Sequence, residues 1–139
     1  MPRVSTVIIG SRASVAASFK ILARREAIQI VACLNDLAEL FTKLSDTEPM
    51  VALIDFSFIR GPEYHLLDVL RRSYPKTKVI LLCEGIDQAQ IIEAFRHGAA
   101  GYVEARDRDM FLVRAIRAVM DGEAWAPRQI ISKIVDRLL

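Results

Sequence analysis

Five times along the chain, a short aliphatic or β-branched run gives way to a stretch whose apolar residues recur at helical spacing. That alternation constrains the fold more than any other feature of the sequence. The strand-like runs are Val4 to Ile9, Ile28 to Leu34, Val51 to Ile54 stopping at Asp55, Lys78 to Cys83, and Gly101 to Val103. Helical patterns follow each of them. The first runs from about Val15 to Arg25, with Val15, Phe19 and Leu22 on one face. The second runs from Leu37 to Leu44 behind an Asn35-Asp36 cap, and the third from Glu63 to Ser73 before Pro75. The fourth runs from Asp87 to His97, with Gly98 suited to a left-handed stop, and the fifth from Arg108 to Asp121. Strands apolar on both faces, each followed by a helix, require a parallel sheet covered on both sides. With five strands, the order 2-1-3-4-5 of the flavodoxin-like α/β fold is the expected one.

Composition agrees with one domain. The chain has 139 residues, 53% hydrophobic and 26% charged, enough apolar material for a core and too much for a disordered tail. No apolar run approaches the roughly 18 residues that cross a bilayer, and the N-terminus lacks the pattern of a secretory signal. A cytoplasmic protein without a membrane partner is expected. The 19 basic and 17 acidic residues are interspersed, so no element carries a nucleic-acid footprint. Cys33 and Cys83 fall on strands three places apart in the expected order, about 14 Å at ordinary strand spacing, too far for a disulfide.

A sixth helix should begin at Pro127, its apolar stripe formed by Ile130, Ile131, Ile134, Val135, Leu138 and Leu139 opposite Lys133, Asp136 and Arg137. The five-helix fold closes without it. The chain therefore divides into a domain over 1–122 and an extension over 123–139. The extension is either a helix packed back on its own domain, or a dimer seam or connector to a further domain.

In an open α/β sheet, ligands and chemistry collect at the carboxyl ends of the strands. Gly10-Ser11, Asp55, Cys83-Glu84 and Glu104-Ala105-Arg106 stand there. Asp55 ends an apolar strand at the sheet centre and is either a helix cap or satisfied carboxylate, or a nucleophile or metal ligand. The segment Gly10-Ser11-Arg12-Ala13-Ser14 opens a helix. Its serines suit capping, and its backbone N–H groups, hydroxyls and arginine suit a small anion.

Several stretches carry a resemblance to a known family. Val51-Ala-Leu-Ile-Asp55, Lys78-Val-Ile-Leu-Leu-Cys83, Ala94-Phe-Arg-His-Gly-Ala-Ala-Gly-Tyr-Val103 and Asp121-Gly-Glu-Ala-Trp-Ala-Pro-Arg128 together resemble a CheY-like receiver domain of a two-component response regulator, of the NarL/LuxR type. The resemblance covers nearly the whole chain. It implies that Asp55 is the phospho-acceptor position, that Cys83 and Tyr102 are the switch positions, and that a helix-turn-helix DNA-binding domain follows in the full protein. Contact with DNA is then expected only through that domain, which these residues do not contain.

The departures from the family pattern are specific. Gly10 and Ser11 stand where the family has an acidic pair that holds Mg²⁺. Cys83, a weak donor, stands where it has a Ser or Thr. Ala105 stands where it has the lysine that pairs with the phosphoryl group, and Arg106 should face away if the fifth strand continues. One aspartate and a serine hydroxyl offer Mg²⁺ little of the oxygen charge it requires, so no cofactor or metal is expected.

The expected function is a phosphorylation-independent receiver, acting as a dimerisation or protein-contact module of a transcription regulator. The alternatives are a small-molecule-sensing pseudo-receiver in the same crevice, or a weakly phosphorylatable receiver using Asp55. Partners would be a second copy, a sensor kinase or another regulator. The dimer would form through the surface of the fourth helix, fifth strand and fifth helix, near Phe95, Arg96, Tyr102 and Arg114, or through the last helix. Tyr102 is otherwise a half-buried core residue. Catalysis is not expected. His65 and His97 lie in helical segments away from the strand ends, no histidine is positioned to activate Cys83, and carboxylates Asp55, Glu84 and Glu104 without a metal mainly repel.

Overall fold

The computed structural model describes residues 3–59 and 64–138. Its strands are β1 (Val4–Ile9), β2 (Ile28–Leu34), β3 (Val51–Asp55), β4 (Lys78–Cys83) and β5 (Gly101–Glu104). They form one sheet in the order β2-β1-β3-β4-β5, every neighbouring pair parallel. The helices are α1 (Arg12–Leu22), α2 (Leu37–Thr47), α3 (His65–Ser73), α4 (Gln88–Arg96), α5 (Arg108–Met120) and α6 (Arg128–Leu138). The expected sheet order and layering are therefore the observed ones.

The central strand shows why the fold has two cores. Val51, Ala52, Leu53 and Ile54 are all fully buried. Because side chains alternate across a strand, Ala52 and Ile54 pack with α2 and α3 through Leu40, Leu44, Leu67 and Leu70. Val51 and Leu53 pack on the opposite face with Val15 and Leu22 of α1 and Leu112, Ile116 and Val119 of α5. The same parity sends Asp55 to the α1 side at the end of the strand.

Local signals mark the ends of the helices. Ser11 caps α1, its side chain accepting from the Ser14 N–H at 3.2 Å, and Asp36 caps α2 through the Ala38 N–H at 2.9 Å. Asp87 and Gln90 form a reciprocal capping box at the start of α4. Beyond α4, Gly98 takes φ +114° as the left-handed stop.

Several expectations need correction. Helix α1 begins at Arg12, directly after its cap, rather than at Val15. Its buried face is Val15, Ser18 and Leu22, and Phe19 is exposed. The cause is Ser18, whose hydroxyl accepts a hydrogen bond from Arg108 at 3.1 Å and so turns a polar residue inward. The first residue expected of the third helix, Glu63, lies outside the described residues. Strand β5 extends one residue further than expected and then stops, because 105–107 turn into a single 3-10 turn. Arg106 is therefore an exposed turn residue rather than a strand residue facing the opposite side. Cys33 is exposed and Cys83 buried, on strands separated by β1 and β3, and neither is in a disulfide.

The first turns of the last helix pack against the domain. Ile130 is buried against Ile91 and Ile92 of α4, with Ile134, Phe95 and Tyr102 packed around them. Val135 is 47% exposed, so only one edge of the stripe is used. Leu138 and Leu139 fall outside the described side chains. The connecting segment joins the sheet: the Trp125 N–H donates to the Ala100 carbonyl at 3.1 Å, and the Tyr102 N–H donates to the Trp125 carbonyl at 2.8 Å. Trp125 thereby bridges in parallel to Gly101 and covers the free edge of β5.

Candidate functional site

The strand ends bring Ser11, Ser14, Asp55, Ser57, Glu84 and Ala105 around a cavity of about 260 Å³. Asp55 is half-buried there, and its carboxylate is already occupied. Oδ2 accepts from the Ser11 backbone N–H at 3.1 Å, and Oδ1 accepts from the Ser14 hydroxyl at 2.8 Å. The carboxyl group lies directly over Gly10, where any Cβ would overlap it. Gly10 is thus required by the rotamer of Asp55, in a buried position that also donates its N–H to the Leu34 carbonyl at 3.1 Å.

This geometry bears on two of the sequence expectations. The first turn of α1 does hold an anion, and the anion is the chain's own Asp55. The Ser11 N–H and the Ser14 hydroxyl that a small anion would use are engaged by it, and the Ser11 hydroxyl is engaged as the helix cap. Among the described residues no group of three His, Cys, Asp or Glu side chains gathers as metal ligands, and both Asp55 oxygens face donors, whereas Mg²⁺ takes several oxygen ligands with carboxylate charge.

Cys83 closes β4 within the field of the same site. Burial pushes its thiol well above the ordinary range, and the Glu104 and Asp55 carboxylates add to that. Such surroundings favour the neutral thiol over the thiolate. The sequence brought Glu84 and Glu104 toward Asp55, and the structure separates their roles. Glu84 lines the Asp55 cavity. Glu104 turns the other way: its Oε1 accepts from the Gly85 N–H at 2.9 Å and its Oε2 accepts from the Tyr102 hydroxyl at 2.8 Å. Burial pushes the Tyr102 phenol upward, and the hydrogen bond and charge of Glu104 push it further. Tyr102 itself is half-buried.

Ala105 sits in the turn after β5 and lines the Asp55 cavity, while Arg108, three residues on, is engaged with the backbone and α1. Arg108 donates from Nη1 to the Ser14 carbonyl at 2.7 Å and to the Ser18 hydroxyl at 3.1 Å, and from Nε to the Ala105 carbonyl at 3.0 Å. It clamps α5 to α1 behind Asp55. The sequence reading missed this arginine, although a cation in the first turn of a helix runs against the helix dipole and signals a tertiary role. It also missed the pairing of Tyr102 with Glu104, which their two-residue spacing on one strand allows. His65 opens α3 as an exposed residue, and His97 follows α4 and pairs with Asp68 at 2.9 Å.

The surface expected to receive a partner is also changed. Phe95 and Tyr102 are packed beneath α6, and only Arg96 and Arg114 of that group are exposed.

Comparison with known proteins follows the same line. No protein-family model matches the chain. It is 29% identical over 136 residues to the oxygen regulatory protein NreC of Staphylococcus haemolyticus (strain JCSC1435), covering 96% of this chain and 62% of that protein. The chain thus spans less than two thirds of that relative. Among solved structures, it resembles the isolated receiver domain of RcsB from Salmonella enterica serovar Typhimurium in its apo form, with TM-score 0.82, 21% identity, and coverage of 94% of this chain and 98% of that one. It also resembles a two-component response regulator of the LuxR family from Aurantimonas sp. SI85-9A1, with TM-score 0.79, 20% identity, and coverage of 97% of both chains.

Proposed function

We propose that this chain, a receiver domain of the NarL/LuxR type by its relatives and its fold, works as a protein-contact module whose state is not set by Mg²⁺-dependent phosphorylation. The observation that carries the reading is Asp55. Its carboxylate is folded over Gly10 and held by Ser11 and Ser14, with Ala105 rather than a cation on the open side. Phosphoryl transfer needs an exposed acceptor oxygen and positive charge on the equatorial oxygens of the moving group. No cation lines the cavity of this aspartate among the described residues, and each of its oxygens already accepts a hydrogen bond.

The protein is then one part of a transcription regulator, with 1–122 as the receiver and 123–139 as the passage to whatever it controls. Contact with DNA would belong to another part of that regulator. A second copy is the partner in keeping with the module's role, and α6 decides which face is free to meet it.

A heteronuclear NMR titration with Mg²⁺ followed by beryllofluoride tests this directly. The expected outcome is an amide spectrum unchanged around Gly10, Asp55, Cys83 and Tyr102. Shifts clustered on those residues would overturn the reading and restore a phosphorylation switch.

A further inference from the structure

Helix α6 is fixed to the domain at three places of different character. Its connector is hydrogen-bonded to the β5 edge through Trp125. Its Ile130 and Ile134 enter an apolar seat made by Ile91, Ile92, Phe95 and Tyr102. The Lys133 ammonium meets the Gln88 side-chain oxygen at the first turn of α4. Within this seat Tyr102 alone carries a polar group, and its hydroxyl is held by Glu104. The other oxygen of that carboxylate holds the Gly85 N–H in the turn between β4 and α4. One side chain therefore fixes both the floor of the α6 seat and the approach to the helix that forms its wall.

We propose that α6 is a releasable strap over the apolar face of α4, and that Glu104 is the latch that keeps it closed, acting through Tyr102. With the latch made, the tyrosine ring stays in the seam and α6 stays down. When Glu104 is drawn away, the ring loses its anchor, the β4–α4 turn loosens, and α6 lifts to uncover Ile91, Ile92 and Phe95. Glu104 also lines a second cavity with Glu84, Gly85, Ala105, Arg106 and Arg108, which shares Glu84 and Ala105 with the cavity of Asp55. A group that binds there and draws the Glu104 carboxylate toward itself competes with Tyr102 and opens the strap.

Trp125 is the only tryptophan in the chain, so it reports on the connector without labelling. Hydrogen–deuterium exchange and Trp125 emission are compared for the parent, Tyr102→Phe, Glu104→Ala and Ile130→Asp. Tyr102→Phe keeps the ring and removes only the hydroxyl. Both latch variants should raise amide exchange in α6 about tenfold, the equivalent of one hydrogen bond to a charged group, while β1 and β3 keep their protection. Ile130→Asp, which removes the apolar anchor, should release α6 fully and shift Trp125 emission to the red. The proposal is overturned if either latch variant exchanges in α6 as the parent does, if exchange rises equally throughout the sheet, or if Ile130→Asp leaves α6 protected.

Discussion

The strand ends around Asp55 and the seam between α4 and α6 flank Glu104 and are built by opposite means. At Asp55 the contacts are polar: a backbone N–H and a hydroxyl from the start of α1 hold the carboxylate, and a glycine without a side chain leaves the space beside it. At the seam the main contacts are apolar, with Ile130 buried on Ile91 and Ile92. A site that lacks its charged partners has not been left empty, because an unsatisfied half-buried carboxylate is costly and the chain supplies its own donors. The seam adds two polar ties to its packing, Tyr102 to Glu104 and Lys133 to Gln88. The first region is closed by chemistry and the second by packing, and substitutions should separate them.

The largest effect should come from the packed side. Ile92→Ala, at a residue 2% exposed, should lower unfolding stability by about 3 kcal/mol in urea titrations. A loss below about 1 kcal/mol would mean that α6 and α4 refill the cavity, so that the seam is looser than drawn. Gly10→Asp should come next, at about 2 kcal/mol, because the new Cβ forces Asp55 out of its rotamer and sets two carboxylates together. A variant as stable as the parent would mean that Asp55 leaves its donors easily. Ser14→Ala removes one of the two donors to Asp55 and should cost about 1.5 kcal/mol, with Asp55 carboxyl resonances shifted in NMR spectra. No shift there would remove this hydroxyl from the site.

The smallest effect lies at the far end of α4. The Asp68 carboxyl is held below its ordinary value of 3.8, first by the hydrogen bond from His97, with burial opposing and the charges of His97, Arg71 and Arg72 assisting. Because the folded value is lowered, this stabilisation is present above the ordinary value and is lost as pH falls through the lowered one. In His97→Ala, the Asp68 titration should move upward, and the acid limb of the stability profile should flatten. An unmoved midpoint would mean that α3 and α4 are not tied there in solution.

The fold was readable because its signals are local and repeated. The apolar parity of Val51 to Ile54 and the caps at Ser11, Asp36 and Asp87 each fix their element without help from distant residues. The site was readable in part. The residue types at 10, 55, 83 and 105 stated where the chain departs from the family pattern. They did not state what took its place, since the hydrogen bonds of Ser14 to Asp55 and of Arg108 to Ser14 join residues 41 and 94 positions apart. The stripe on α6 announced an apolar face but not its occupant. A stripe is satisfied equally by α4 or by a second chain, and only the position of Trp125 on β5 directs it inward.

The contact between Gly10 and Asp55 also sets the order in which this sequence can change. Each position restricts the other: an acid at 10 is tolerated only once the residue at 55 has moved, and Asp55 keeps its present rotamer only while 10 has no side chain. The two sites are epistatic, because an acidic residue at 10 displaces the rotamer that Asp55 now holds. The absence of a single methyl-sized volume thus acts as a ratchet on what the domain can become.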